Sequence, residues 1–170
     1  ASVSKPITAV AVMQLAERGK LDLDSRVYDL LDEYVPHLED GAKLDDRQRQ
    51  ITIRHLLQHR GGWDRDKSFD AMFQQVRLAR AVGAAPPAGH AEIIRCMLGV
   101  PLDFDPGERH AYSNYGYCLL GRVIEKVSGQ PYDDYVKQHV LKPLGIKRMV
   151  IGATHPKNRR EREVRYYDAA

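Results

Sequence analysis

The chain has little of what would mark a disulfide miniprotein, a membrane protein or a nucleic-acid binder. Only two of its 170 residues are cysteines, too few for a disulfide framework. Cys96 and Cys118 both sit in apolar helical contexts, where buried thiols are the default. A bridge between them, and with it the redox compartment, stays open. No run approaches the roughly 18 apolar residues of a membrane-spanning helix. Neither sign of charge dominates: 26 Lys and Arg against 23 Asp and Glu leave a formal charge of +3, which argues against nucleic acid as a partner. The late cations Lys157, Arg159, Arg160, Arg162 and Arg165 are interrupted by Glu161 and Glu163 and hold no aromatic residue, the pattern of a solvated loop. Internal repeats and low-complexity tracts are also missing. The chain starts at Ala1 without Met, already at a helix start. It reads as an internal segment, with any signal peptide upstream and localisation undetermined.

What is present is an ordinary globular composition, 43% hydrophobic and 29% charged, at a length that suits one domain or a large part of one. Apolar periodicity with Pro6 in a first turn and Gly19 as a stop predicts a helix over 2–18, with Ile7, Val10, Ala11 and Leu15 as its buried stripe. A helical turn is expected at Val27–Leu31 and a polar surface loop over 36–50. Thr52 reads as the N-cap of a short helix through Gln58, broken by Gly61-Gly62. Ser68 is positioned to cap a helix over Phe69–Arg80, whose Met72, Phe73 and Val76 read as core. Further helices are expected over 90–98, from Tyr112-Ser113-Asn114 to Gly129, and over 131–140. Asp105-Pro106-Gly107-Glu108 is a turn, and a strand start is expected at Met149–Ile151.

Two stretches carry chemistry. Ala1-Ser2-Val3-Ser4-Lys5 places a serine and a lysine three residues apart at a helix start, where positions i and i+3 share a face. A serine hydroxyl needs a nearby base to act as a nucleophile. The partial positive charge of a helix start favours negative charge on Ser2. The plain alternative is Ser2 as an N-cap with Lys5 solvated. The second stretch, Tyr112-Ser113-Asn114, lies 110 residues after Ser2. A Tyr112 phenol beside a lysine ammonium loses its proton more easily. It can then take the Ser2 proton and return it to a leaving group. Asn114 offers an amide donor and an acceptor, for Lys5 and a substrate carbonyl. The plain alternative is Ser113 or Asn114 capping the next helix with Tyr112 packed, and the two are compatible.

Other candidates are weaker. His55 and His59 stand four apart, but Leu56 occupies the place where a zinc protease helix needs Glu, and no third ligand is evident. They read as capping or packing histidines. Trp63 is either a pocket wall or a core anchor. No metal or organic cofactor is implied.

Taken together, the chain resembles the serine β-lactamase and penicillin-binding-protein superfamily. It is most similar to the branch with Tyr-x-Asn as second motif: class C β-lactamases, D-alanyl-D-alanine carboxypeptidases and related esterases. Ala1-Ser2-Val3-Ser4-Lys5-Pro6 and Tyr112-Ser113-Asn114 carry the likeness. Arg18 to Asp24, Thr52 to His59 with Gly61-Gly62, Pro106-Gly107, Tyr115-Gly116-Tyr117 through Gly121, and Pro143-Leu144-Gly145 support it, over residues 1–152. The resemblance implies an α+β, β-lactamase/transpeptidase-like fold, of which this segment is the mainly helical part. Most of the antiparallel sheet is then expected outside the chain, with 153–170 a polar tail leading toward it. It also implies a hydrolase of esters, amides or β-lactams acting through an acyl-Ser2 intermediate. Lys5 and Tyr112 would share the base role, Asn114 and Trp63 would serve substrate binding, and the Ser2 N–H would be one oxyanion donor. The third motif, Lys or His with a small residue and Gly on a late strand, is not found after Asn114; His59-Arg60-Gly61 matches the letters at a helix end, the wrong place. A non-catalytic binding scaffold with the same fold is therefore the second reading, and a helical nucleic-acid module a third. Substrate preference and oligomeric state are not legible.

Overall fold

In the computed structural model, which describes residues 2–38, 43–152, 159–161 and 163, the chain builds around one central helix. Among the described residues the α-helices run α1 (Ser4–Glu17), α2 (Val27–Leu30), α3 (Ile53–Leu57), α4 (Gln75–Ala81), α5 (His90–Leu98), α6 (Asn114–Ser128) and α7 (Tyr132–Val136). The single antiparallel bridge Arg26–Thr52 is the β pairing among them. Helix α6 forms where its pattern predicts. The Ser113 hydroxyl caps it by accepting from the Gly116 N–H at 3.1 Å, and Gly129 ends it at φ 69°, a left-handed conformation that costs glycine little. Its Leu119, Leu120, Val123 and Ile124 are fully buried, each worth about 1.5–3 kcal/mol of apolar transfer. They pack against α1, α2, α3 and α7.

Helix α1 differs from its expected register. Its buried face is Thr8, Ala11, Val12 and Leu15, while Val10 and Met13 are exposed. Apolar residues occur on both sides of α1, so periodicity alone does not choose a face. The neighbours choose it: the Thr8 hydroxyl bonds the Ser4 carbonyl at 3.0 Å and the Tyr132 hydroxyl at 2.7 Å. The regular helix begins at Ser4 rather than at Ser2, which sits in the preceding turn with its carbonyl accepting from the Lys5 N–H at 3.1 Å.

The expected loop over 36–50 is in part an anchor. Asp46–Gln50 is a 3-10 turn capped by Asp45. Gln48 is buried and donates to the carbonyls of Met97, Leu98 and Val100, supplying partners that the end of α5 lacks. The expected helix over 69–80 is divided into a 3-10 turn, Ala71–Phe73, and α4. Asp70, not Ser68, caps the turn, through the Met72 N–H at 3.0 Å. The Ser68 hydroxyl instead donates to Asp64 and Asp103. Phe73 and Val76 are 78% and 49% exposed, so they are not core residues; the division at Gln74 turns them outward. The helix expected over 131–140 becomes α7 followed by a π turn, Lys137–Leu141. Residues 149–151 are exposed and form no strand, because no neighbouring strand pairs with them among the described residues. Most of the 153–170 tail, with Lys157, Arg162 and Arg165, lies outside the described residues.

Candidate active site

The site forms where the start of α1 meets the start of α6. The loop after α3 sets this meeting by pairing with the approach to α6. The Ala111 N–H donates to the His59 carbonyl at 2.8 Å, the Gly107 N–H to Arg60 at 2.8 Å and the Asp103 N–H to Gly62 at 2.9 Å. Gly62 sits at φ 108°, and a Cβ there would come within 2.8 Å of the Phe104 carbonyl. Only glycine allows this approach without strain. Thr52 and His55 form a reciprocal capping box at the start of α3, which fixes the helix from which the loop departs.

Ser2, Lys5, Tyr112 and Asn114 converge. The Ser2 hydroxyl lies 2.5 Å from the Tyr112 hydroxyl. Lys5 Nζ donates to Ser2 Oγ at 3.3 Å and to Asn114 Oδ1 at 2.6 Å. The same Nζ lies 4.8 Å from the centroid of the Tyr112 ring. Ser2 is exposed, whereas Lys5, Tyr112 and Asn114 are half-buried. The Tyr112 phenol is held below its ordinary value, first by the Lys5 ammonium beside it, then by the Ser2 hydroxyl and in smaller part by Arg65. Lys5 acts on it as a close cation, since its short hydrogen bonds go to Ser2 and Asn114. The arrangement is chemically capable of one thing above others: passing the Ser2 proton to a phenolate whose charge is supported by an ammonium.

Two further residues reach this cluster. Asp70 Oδ2 accepts from Asn114 Nδ2 at 2.7 Å, which turns the Asn114 carbonyl oxygen toward Lys5. The exposed Arg65 places its guanidinium 4.9 Å from the Tyr112 ring centroid. Sequence reasoning missed both, because an Asp before a 3-10 turn and an Arg in a polar loop carry no signal until the chain is folded. Trp63 is only 4% exposed and meets Tyr115 edge-on, with ring centroids 4.7 Å apart. It packs as a core anchor, the second of its two readings. His55 and His59 are both engaged through Nδ1, accepting from the Thr52 N–H at 3.3 Å and the Ser113 N–H at 3.1 Å. No cluster of three or more metal-ligating side chains occurs among the described residues. Cys96 and Cys118 form no disulfide. Burial pushes the Cys118 thiol up to about 11, which suppresses its reactivity. No described helix is long and apolar enough to cross a membrane. A cleft of about 550 Å³ lined by Tyr28, Asp32, Tyr34, Gln48 and Leu98 lies elsewhere and includes none of the four converging residues.

The sequence model of the Beta-lactamase family matches residues 1–170. The chain belongs to that family, and its helices are the helical part of a β-lactamase/transpeptidase-like fold. It is 36% identical over 147 residues to the putative fimbrial assembly protein FimD, serogroup D, of Dichelobacter nodosus, covering 86% of this chain and 33% of that protein. It is 34% identical over 150 residues to esterase EstB of Burkholderia gladioli, covering 86% and 36%. Its fold is similar to a solved D-stereospecific amidohydrolase from Streptomyces sp., with a TM-score of 0.64 at 29% identity, covering 85% of this chain and 41% of that one. The chain thus spans about a third of the length of the curated relatives it matches.

Proposed function

We propose that the protein carrying this chain is a serine hydrolase that cleaves ester or amide bonds of small substrates through an acyl-Ser2 intermediate. The observation that carries this reading is the 2.5 Å approach of Ser2 Oγ to the Tyr112 oxygen, with Lys5 bonded to both Ser2 and Asn114. Likeness to an esterase and to an amidohydrolase supports the bond classes. The Tyr112 phenolate takes the Ser2 proton as Oγ attacks the substrate carbonyl carbon. The tetrahedral intermediate collapses, the C–O or C–N bond breaks, and the leaving group takes the proton back from Tyr112. In the second half the phenolate takes a proton from water, hydroxide adds to the acyl carbon, and Ser2 leaves with the proton held by Tyr112. Lys5 supports the phenolate throughout. Asn114 directs one N–H to Asp70, and its other N–H serves the substrate carbonyl.

The test is hydrolysis of a p-nitrophenyl ester and of a D-amino-acid p-nitroanilide. It uses a polypeptide extended at both ends to the length of the relatives, beside its Ser2→Ala variant. Turnover of either substrate that disappears in Ser2→Ala is the expected result. A folded protein that turns over neither would overturn the reading in favour of a non-catalytic scaffold.

A further inference from the structure

His59 has no part in the steps above, yet four separate constraints meet on it. It follows α3 with φ 55°, the one positive φ outside glycine among the described residues, a conformation that costs a side chain with a Cβ about 1 kcal/mol. Its carbonyl accepts from the Ala111 N–H at 2.8 Å. Its Nδ1 accepts from the Ser113 N–H at 3.1 Å. Its ring stacks on Tyr112 with centroids 4.6 Å apart and planes 28° apart, and it leans on Tyr117 at 4.9 Å. The residue therefore grips the Tyr112 loop on both sides of the phenol, through Ala111 and Ser113, and supports the ring between them.

An imidazole nitrogen accepts a hydrogen bond only when it carries no proton. The Ser113 bond therefore fixes the proton of the neutral ring on Nε2. Protonation would place an Nδ1–H against the Ser113 N–H, donor facing donor. The charged and titratable groups around the ring are Lys5 from α1, His110 and Tyr112 from the loop, Tyr117 from α6, and Arg60 beside it in the chain. Burial first, then the fields of His110 and Lys5, hold His59 below its ordinary value, so the gripping form prevails at neutral pH.

We propose that neutral His59 is the positioning residue of the Tyr112 base, holding the phenol oxygen on Ser2, and that protonation of His59 releases it. Ser2 acylation then carries an acid switch made of a residue that touches neither substrate nor nucleophile. The inference rests on Ser2 being the nucleophile, and two readouts separate the ideas.

The first readout needs no activity. Nitrogen-15 NMR of the uniformly labelled extended polypeptide should show His59 as the Nε2–H tautomer, with the Ser113 amide shifting at the same midpoint as the His59 ring. The second is the rate of fluorophosphonate labelling of Ser2 against pH in the extended polypeptide. In the wild type the logarithm of the rate should fall with a slope of one as Tyr112 is protonated, then steepen to two below the His59 midpoint. His59→Asn keeps an acceptor near the Nδ1 position and tolerates the left-handed backbone; its slope should stay at one, with a loss of only a few-fold at pH 8. His59→Phe keeps the ring without the acceptor; it should lose at least tenfold above the His59 midpoint, and the gap should close below it as the wild type itself lets go. A Ser113 amide blind to the His59 titration, a steepened profile in His59→Asn, or wild-type rates in His59→Phe above that midpoint would overturn the proposal. Coupled NMR titration without any labelling of Ser2 would instead keep the positioning role and reject the hydrolase reading.

Discussion

Asp70 touches no reacting atom, yet its removal should slow Ser2 acylation. The Asn114 side chain is a planar amide with an oxygen at one end and an NH2 at the other. Asp70 Oδ2 takes the NH2 end at 2.7 Å, and so the oxygen end faces Lys5 Nζ at 2.6 Å. Without Asp70 the amide is free to rotate, and in the rotated form a donor faces the Lys5 donor. A hydrogen bond to a charged group is worth about 1.5–3 kcal/mol net, and 1.36 kcal/mol is a factor of ten in rate. Asp70→Ala should therefore lower the labelling rate roughly 10- to 150-fold. It also removes the cap on Met72, worth about 1 kcal/mol of stability. Asp70→Ser separates the two effects, since its hydroxyl can cap Met72 but falls short of Asn114. Fluorophosphonate labelling followed by intact mass gives the rate, and urea unfolding gives the stability. Wild-type labelling rates in both folded variants would refute the claim that Asp70 orients Asn114.

Tyr112→Phe should leave the fold intact, because only the phenol oxygen is lost, and should slow labelling by about 10²- to 10⁴-fold; a smaller loss in a stopped-flow or mass assay would remove Tyr112 from the base role. Asp45 is held down to about 2, first by the hydrogen-bonded Arg47 and against its own burial. A folded value below the ordinary one stabilises the protein above about pH 4, and this is lost as pH falls toward 2. With Arg47 partly solvated, Asp45→Asn should cost about 1–2 kcal/mol at pH 7 and little at pH 2, as read by urea unfolding at the two pH values. Burial holds His55, His59 and His90 below their ordinary value. The unfolded chain then binds protons first, so stability should be full above about pH 6.5 and decline as pH drops below it. A flat stability profile between pH 7 and pH 5 would count against those three burials.

How much of this was legible depends on which forces act locally. Helix α6 was legible because its cap, apolar stripe and terminal glycine agree, and α5 was legible to the residue. The face of α1 was not, since Thr8 is buried by a partner 124 residues away. Phe73 and Val76 carried a core pattern, yet Asp70 and Gln74 break their helix and turn them to solvent. The polar run at 45–48 looked like solvated loop because the carbonyls that Gln48 satisfies lie about fifty residues on. At the site, motif spacing singled out Ser2, Lys5, Tyr112 and Asn114, and the fold brings all four within hydrogen-bond reach of one another in a chain. Asp70, Arg65 and the grip of His59 depend on a loop whose path is fixed only by its pairing with residues 103–111.

The central claim is that Ser2 is an activated nucleophile, and covalent capture tests it most directly. Treating the extended polypeptide with a fluorophosphonate and measuring intact mass, with Ser2→Ala alongside, should give one adduct in the first and none in the second, mapped by peptide digestion to Ser2. An unlabelled, folded protein, or an adduct that persists in Ser2→Ala, would contradict it.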